Sequence, residues 1–387
     1  MSMARGAQAA ADGDTTQKLA FAVEQSWMAY DDATAVALAD AIEAQADPSL
    51  KAAGLRSLMS YQMRRGAFAA AAETGAASAA FEPLAPSEQQ ALAFLQALVG
   101  VAPTRAIGNP SGRVAVKRDL AGLMRGDISV GDQSVAAILD TGANFSTINE
   151  TSAQRLGLRM LESAVSVASS SRDAVASRLG VADQLSIGGA QFSNVIFIVL
   201  PDADLSFANG AYTIDAILGM PVFFEMGRIQ LTEADGAEEF VFGEEAADVG
   251  DAERNILFGG MSPIVTVNVA ANDDAADVMM LLDSGAQRTS FSSGFADAAP
   301  GIMQDAETVT STRGGAGGMV TSDKTKRIAS LAITAGGHTV QLKNVDVHDD
   351  GQDSRMGILG LDAFGAGFVI DWEKGVLNPR APEAPQQ

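Results

Sequence analysis

The chain has 387 residues, no cysteine, two histidines and a formal net charge of −22 at neutral pH. The absence of cysteine excludes disulfides, thiolate nucleophiles and cysteine-ligated zinc, and the negative charge argues against nucleic acid or an anionic membrane surface as a partner. With 47% apolar residues, a chain of this length predicts two or three globular domains with cores of their own. No apolar run approaches the length of a transmembrane helix, so we expect no membrane insertion.

The segment up to about residue 105 is rich in Ala, Leu and Glu, and its apolar residues have a helical period. We predict an N-terminal α-helical domain over residues 1–105, with helices at 16–29, 32–45, 49–64, 66–80 and 87–101. Pro48 and Pro86 suit the first turn of a helix, where a missing N–H costs nothing. Alternating alanines recur at a spacing of about 34 residues, the period of tetratricopeptide helix pairs. The alternatives are a tetratricopeptide-like array and a generic helical bundle.

The chain changes character after residue 101. Pro103, Gly108, Pro110 and Gly112 predict a linker over residues 101–113, and we expect the helices to be separable from the rest at this point. Beyond it, short apolar runs alternate with clusters of Gly, Asp and Asn, which is typical of a β-barrel or a β-sandwich.

One short motif occurs twice in this β-rich part. Asp-Thr-Gly-Ala at residues 140–143 returns as Asp-Ser-Gly-Ala at residues 283–286. Each copy follows two apolar residues and reaches Ile-Leu-Gly at nearly the same distance downstream, ending at Gly219 and Gly360. A duplication on this scale predicts two similar units related by an internal twofold axis.

The two Asp residues carry the chemistry. An Asp at the end of an apolar strand places its carboxylate at the mouth of a turn, and a Gly two residues later allows a positive φ or a close backbone approach. If the twofold axis brings Asp140 and Asp283 side by side, repulsion between like charges prevents both carboxyl groups from ionising. The pair then holds one proton. Such a pair supplies a general base and a general acid in one site.

With these motifs the chain resembles the aspartic peptidases of the pepsin/retropepsin superfamily, in the bacterial retropepsin-like form with both lobes on one polypeptide. The resemblance covers about residues 110–380 and implies a mainly β, bilobal fold of two antiparallel β-barrels behind the α-helical domain. The lobes would be residues 106–248 and 249–387, joined by the acidic stretch 244–253, with a disordered tail at 381–387. The last hairpins of the two lobes, near residues 228–242 and 368–377, also resemble each other.

The resemblance implies roles for the site residues. Asp140 and Asp283 would be catalytic, and Thr141 and Ser284 would form the hydrogen-bonded pair that ties the two loops together. Four glycines would complete the loops and the segments that support them: Gly142, Gly285, Gly219 and Gly360.

Each lobe also contains a candidate flap at the same place in the repeat. The two candidates comprise Ser169, Ser170, Ser171 and Arg172 in the first lobe, and Arg313, Gly314, Gly315 and Gly317 in the second. Neither holds a Tyr, in contrast to pepsin, so the resemblance is closer to retropepsins. The alternative is a pair of ordinary hairpins without a role in closing over substrate.

The implied activity is that of an aspartic endopeptidase, in which a water between Asp140 and Asp283 attacks an extended polypeptide, with no cofactor and no metal. The alternative is a catalytically silent peptide-binding or scaffold protein on the same fold. The helical domain would dock a protein partner or, as a pro-segment, cover the cleft. His338 and His348 have no Ser or acidic partner at a motif spacing and are predicted to lie on the surface. Residues 1–16 lack the pattern of a signal peptide, which leaves a cytoplasmic protein, or a periplasmic or secreted one whose signal has been removed.

Overall fold

The fold is described by a computed structural model over residues 15–18, 32–167, 175–234, 236–315, 318–349, 356–365 and 367–379. Of the helix predicted at 16–29, only the part up to residue 18 lies in these ranges, and residues 15–18 are helical. The remainder of that predicted helix and the predicted tail at 381–387 lie outside the described residues.

Between residues 32 and 97 the structure has four helices before the β-rich part: α1 (Asp32–Ala44), α2 (Pro48–Arg64), α3 (Phe68–Ser78) and α4 (Pro86–Ala97). They match the predicted helices closely, and Pro48 and Pro86 each lie in the first turn. Asp47 caps α2 by accepting hydrogen bonds from the backbone N–H groups of Ser49 and Leu50, which pairs donors that a helix N-terminus otherwise leaves free. The tetratricopeptide character of these helices stays a prediction.

The first lobe contributes the strands β1 (Arg105–Ile107), β2 (Gly112–Ala115), β3 (Lys117–Arg118), β4 (Met124–Val130), β5 (Gln133–Leu139), β6 (Ser146–Asn149), β7 (Arg159–Val167), β8 (Val175–Ile187), β9 (Ala190–Leu200), β10 (Ser206–Phe207), β11 (Tyr212–Thr213), β12 (Ala216–Leu218), β13 (Arg228–Ala234) and β14 (Ala237–Phe242). Two short helices lie among them, α5 (Glu150–Arg155) and α6 (Met220–Met226). Most of the strands form one sheet in the order β1-β9-β6-β12-β5-β4-β8-β7, with β3 beside β4. Because β12 runs parallel to β5, with Ile217 opposite Ile138, the segments that follow these two strands emerge at the same edge.

The second lobe repeats this arrangement. Its elements are β15 (Ile256–Gly259), β16 (Ser262–Ala271), β17 (Asp274–Leu282), β18 (Ser290–Phe291), α7 (Ser293–Ala298), β19 (Glu307–Gly315), β20 (Gly318–Ala335), β21 (His338–Val347), β22 (Gly357–Leu359), β23 (Phe368–Asp371) and β24 (Val376–Pro379). Its main sheet has the order β15-β16-β17-β22-β18-β21-β20-β19. β22 runs parallel to β17, with Ile358 opposite Leu281, as β12 does to β5. The prediction of a mainly β, bilobal fold behind a helical region is confirmed.

The two lobes share a further sheet, in the order β2-β14-β13-β23-β24. Three of its strands belong to the first lobe and two to the second, and β13 pairs with β23 from Arg228, opposite Asp371, to Leu231, opposite Phe368. The acidic connection between the lobes also packs on this region, with Val249 buried in a cluster beside β23 and β24. Main-chain hydrogen bonds therefore join the two lobes.

The helices pack against the first lobe. One buried cluster, which we call the bundle interface, contains Phe68, Ala71, Ala72, Phe94, Leu95 and Leu98 from the helices and Phe145, Val165, Leu179, Val181 and Ile196 from the first lobe. At the end of α2, Arg64 also donates a hydrogen bond to the carbonyl of Gly260 in the second lobe. Lobes truncated of the helices would expose this apolar face to water, and the separability of the helices stays a prediction. The bounds of the three domains stay a prediction.

The prediction of a linker over residues 101–113 is wrong for two parts of that segment. β1 pairs with β9 and β2 pairs with β14, and the Thr104 hydroxyl donates to the carbonyl of Asn194 at 3.0 Å. Pro103 and Gly108 lie on either side of β1. A high density of Pro and Gly is common to linkers and to the turns around short edge strands, so composition alone does not separate the two.

Among the described residues, no helix is long and apolar enough to cross a membrane. His338 begins β21 and His348 follows that strand, and the side chains of both are partly exposed at the surface. The backbone N–H of His348 donates to the carbonyl of Phe291 at 2.8 Å, which continues the pairing of β21 with β18.

Candidate active site

Both catalytic-motif loops begin where a central strand ends. Asp140 follows β5, and Asp283 follows β17. The backbone N–H of Asp140 donates to the carbonyl of Leu218, and that of Asp283 donates to the carbonyl of Leu359, both at 3.1 Å. Because Leu218 and Leu359 end the parallel strands β12 and β22, equivalent bonds hold the two loops at equivalent positions.

Thr141 and Ser284 connect the two loops through four hydrogen bonds. The N–H of Thr141 donates to Ser284 Oγ, and the N–H of Ser284 donates to Thr141 Oγ1, both at 3.0 Å. Each hydroxyl in turn donates to a carbonyl of the opposite lobe, Thr141 to Leu282 at 2.9 Å and Ser284 to Leu139 at 2.7 Å. Both side chains are buried, so each loop fixes the position of the other.

The two motif glycines bring each loop against the opposite carboxylate. A Cβ atom on Gly142 would lie 2.5 Å from Asp283 Cγ, and a Cβ atom on Gly285 would lie 2.3 Å from Asp140 Cγ. Neither glycine has a positive φ, so close approach is the reason that glycine is needed here. A larger residue at either position would push the carboxylates apart.

Gly219 and Gly360 support the loops from behind. A Cβ atom on Gly219 would lie 2.7 Å from the carbonyl oxygen of Ala143, and Gly360 packs equally tightly against the second loop. The N–H groups of these glycines donate to hydroxyls at equivalent positions of the repeat, Ser146 and Thr289, each at 3.1 Å. The structure therefore brings the predicted loop and support residues together in one place.

The two carboxyl groups share one half-buried environment. Asp140 Oδ1 accepts the N–H of Gly142 and Asp283 Oδ1 accepts the N–H of Gly285, both at 2.8 Å, and Asp140 Oδ1 also accepts the N–H of Ala143 at 3.2 Å. Removal from water raises the pKa of both carboxyl groups, and the negative charge of Asp140 raises the pKa of Asp283 further. The pair therefore titrates as a unit and retains a proton above the usual range of a carboxyl group.

The geometry agrees with the comparison to known protein families. A family model described as aspartyl protease matches residues 126–222 and 265–363, together just over half of the chain. The chain belongs to the aspartyl protease family. Each matched range holds one Asp loop, the parallel strand that supports it and the glycine after that strand. No curated protein matches the chain at a significant level.

The structure of this aspartyl protease describes only part of one candidate flap. The first candidate (Ser169, Ser170, Ser171 and Arg172) and Gly317 of the second lie outside the described residues. The first candidate connects β7 and β8, which pair up to Val167 opposite Val175. In the second candidate, Arg313, Gly314 and Gly315 end β19 and pair with the start of β20.

The hairpin of β19 and β20 reaches the first lobe. A Cβ atom on Gly314 would lie 2.6 Å from Met319 Sδ and 3.9 Å from a ring carbon of Phe207. Phe207 belongs to β10 of the first lobe, and its ring lies 5.7 Å from that of Tyr212, measured between centroids. This hairpin therefore bridges the two lobes, and its role as a flap stays a prediction.

A turn of the first lobe contacts the second Asp loop, which the sequence did not indicate. A Cβ atom on Gly122 would lie 2.4 Å from the side-chain nitrogen of Gln287. The turn is fixed by Asp119, which accepts hydrogen bonds from Arg125 and Tyr212, both at 2.8 Å. Burial opposes the ionisation of Asp119, but these hydrogen bonds prevail and lower its pKa.

The two Asp loops have different supports. Phe145 in the first loop is 7% exposed, and its ring centroid lies 4.7 Å from that of Phe94 in α4. The equivalent position of the second loop holds Arg288, which is exposed. The second loop instead has Asp362, whose Oδ1 accepts the N–H of Thr289 at 2.8 Å and its hydroxyl at 2.7 Å. In the sequence, the aromatic support of the first loop and the Asp362 support of the second are visible only as positions at which the two aligned copies of the repeat hold different residues.

Proposed function

We propose that the protein is an aspartic endopeptidase that hydrolyses peptide bonds of an extended polypeptide. The observation that supports this is the placement of Asp140 and Asp283 against each other's glycines, with the pKa of both carboxyl groups raised. A pair that keeps one proton and one negative charge has the composition that general acid–base hydrolysis requires. Membership of the aspartyl protease family supports a peptidase in general.

In this mechanism a water between the two carboxyl groups is the nucleophile. The ionised carboxylate takes a proton from the water as its oxygen attacks the scissile carbonyl carbon, and the protonated carboxyl gives its proton to the carbonyl oxygen. In the second step the newly protonated carboxyl gives its proton to the nitrogen as the C–N bond breaks. A hydroxyl proton of the intermediate returns to the other carboxylate, which regenerates the starting pair.

The substrate would lie between the lobes, with its backbone paired to the edges of the flanking hairpins. The approach of Gly314 to Phe207 of the first lobe supports this, because the β19–β20 hairpin then extends from one lobe to the other. The flap candidates of both lobes would close over the bound peptide, and the helical domain remains a candidate for contacts with a protein partner.

The test is cleavage of a mixed peptide library at several pH values, with and without pepstatin. Asp140→Asn and Asp283→Asn should each lower turnover by more than about a hundredfold, because each removes the acid or the base of one shared site. Asp273→Asn, at an exposed carboxylate in the turn before β17, is the matched control and should cleave like the wild type. Near-wild-type turnover by either active-site variant would refute the assignment. A folded wild type that binds peptides without cleaving them would instead identify a silent peptide-binding protein.

A further inference from the structure

The first catalytic loop has an apolar anchor that the second loop lacks. A phenylalanine in a loop of small and polar residues is stable only where an apolar partner covers it. For Phe145 that partner is Phe94, from a helix outside the duplicated lobes. The equivalent residue of the second loop, Arg288, is exposed to water. Within the described residues, the bundle interface and the aromatic anchor thus belong to the same lobe.

Phe145 lies two residues after Ala143, whose backbone N–H donates a hydrogen bond to the carboxylate of Asp140. A Cβ atom on Gly219 would lie 2.8 Å from the carbonyl oxygen of Phe145, so the loop has no free space on that side. Ala143, two residues earlier, donates its N–H to Asp140 Oδ1 and accepts the N–H of Met220 at 2.9 Å. A displacement of Phe145 would therefore strain or break a bond that Asp140 itself accepts.

We propose that the helical bundle positions the active site, because Phe94 holds the first catalytic loop through Phe145. The catalytic meaning of this proposal rests on the proposed peptidase function. Phe94 touches no reacting group and is a positioning residue. The second loop does not depend on the bundle, since Asp362 holds Thr289 there by two hydrogen bonds.

The decisive measurement is hydrogen–deuterium exchange of the full-length protein, which needs no activity. Peptides covering residues 139–149 and 282–292 report on the two loops in the same sample. Phe94→Ala should speed exchange of the first peptide by about fivefold, and exchange of the second peptide, which is tied to the first loop by the Thr141 and Ser284 hydrogen bonds, by clearly less. Phe94→Leu keeps an apolar side chain against Phe145, so the exchange rate of its first-loop peptide should lie between those of Phe94→Ala and the wild type. If the alanine variant does not fold, the leucine variant is compared with the wild type instead.

Leu38→Ala is the matched control. Leu38 is fully buried in a different cluster of the helices, with Ile42, Leu58 and Tyr61. Its truncation should speed exchange in α1 and α2 and leave the first-loop peptide at the wild-type rate. Unchanged exchange of the first-loop peptide in Phe94→Ala, or an equal increase in both loops or in Leu38→Ala, would overturn the proposal.

Turnover gives a second readout. Phe94→Ala should lower kcat by about tenfold with little change in KM, because the reacting groups and not the substrate contacts are displaced. The acid limb of the pH–rate profile of Phe94→Ala should move to higher pH. The hydrogen bond from Ala143 lowers the pKa of Asp140, so weakening that bond raises this pKa. If the wild type cleaves no peptide, the proposed function fails, while the exchange pattern still decides whether the bundle positions the loop.

Discussion

The two lobes are copies of one repeat, but the surface that the helices cover on the first lobe differs from the corresponding surface of the second. In the first lobe, Leu179 and Val181 of β8 are buried in the bundle interface. In the second lobe, the corresponding strand β20 and its neighbour β21 carry the exposed residues Lys326 and Lys343. The catalytic loops differ in the same way, one resting on aromatic packing and the other on hydrogen bonds to Asp362. A symmetric pair of carboxylates therefore does not require symmetric support.

Removing the helices tests the largest difference between the lobes. A chain of residues 106–387 would leave the first-lobe side of the bundle interface in water, whereas the second lobe would lose the hydrogen bond that its Gly260 carbonyl accepts from Arg64. We expect this chain to aggregate or to lack cooperative unfolding, because exposed apolar patches of this kind drive association. Size-exclusion chromatography and thermal denaturation measure the outcome. A monodisperse, active fragment would show that the helices are separable after all.

Thr141 and Ser284 make equivalent hydrogen bonds between the loops, and removing the bonds of each residue in turn tests this symmetry. Ser284→Ala and Thr141→Val each remove two hydrogen bonds and leave a buried N–H and a buried carbonyl unpaired. Each should lower the free energy of unfolding by about 2–4 kcal/mol, measured by chemical denaturation, and the two losses should be similar. Ser177→Ala is the control, since Ser177 is buried in β8 and makes one local bond to Val175. Clearly unequal losses would mean that the interloop bonds are not equivalent.

The raised pKa of Asp140 and Asp283 predicts a smaller effect on stability, of opposite sign to that of the interloop variants. Because folding raises the pKa of Asp140 and Asp283, stability is fully present below the pKa of an unfolded carboxyl group and is lost as the pH rises through the folded pKa. Asp140→Asn and Asp283→Asn cannot ionise there and should be more stable than the wild type at pH 7, by about 1.4 kcal/mol per unit of raised pKa. The gain should shrink at acid pH. Equal stability of variant and wild type at pH 7 would contradict the raised pKa.

The residues after the motif glycines predict the smallest effect. Ala143 and Ala286 have no hydroxyl to donate to the nearby carboxylate, so the shared proton is retained and we expect an activity optimum around pH 5–6.5. Ala143→Ser and Ala286→Ser should each favour the charged carboxylate and move the acid limb of the pH–rate profile downward, by about half a pH unit. An optimum below about pH 4 in the wild type, or an acid limb that neither variant moves, would count against this account.

Local signals predicted the elements, and the repeat predicted the site. Pro48 and Pro86 marked helix starts, and the two Asp motifs indicated loops that the structure brings together. The pairing of β13 with β23 was not predictable, because two similar hairpins carry no local mark of which strand edge each will meet. The role of Phe145 was hidden for a related reason. An apolar loop residue predicts burial, but its partner Phe94 lies in a separate part of the chain.

The sheet shared by the lobes has a consequence for synthesis on the ribosome. The chain is made from its N-terminus, so β13 and β14 are finished well before β23, the strand that pairs with the free edge of β13. Until then the nascent first lobe presents an open strand edge, the kind of surface by which incomplete chains associate. Asp283 and the strand that holds it through Leu359 also come late. A nascent chain that ends before Asp283 therefore carries only one of the two carboxylates, and the site is complete only after β22 has been made.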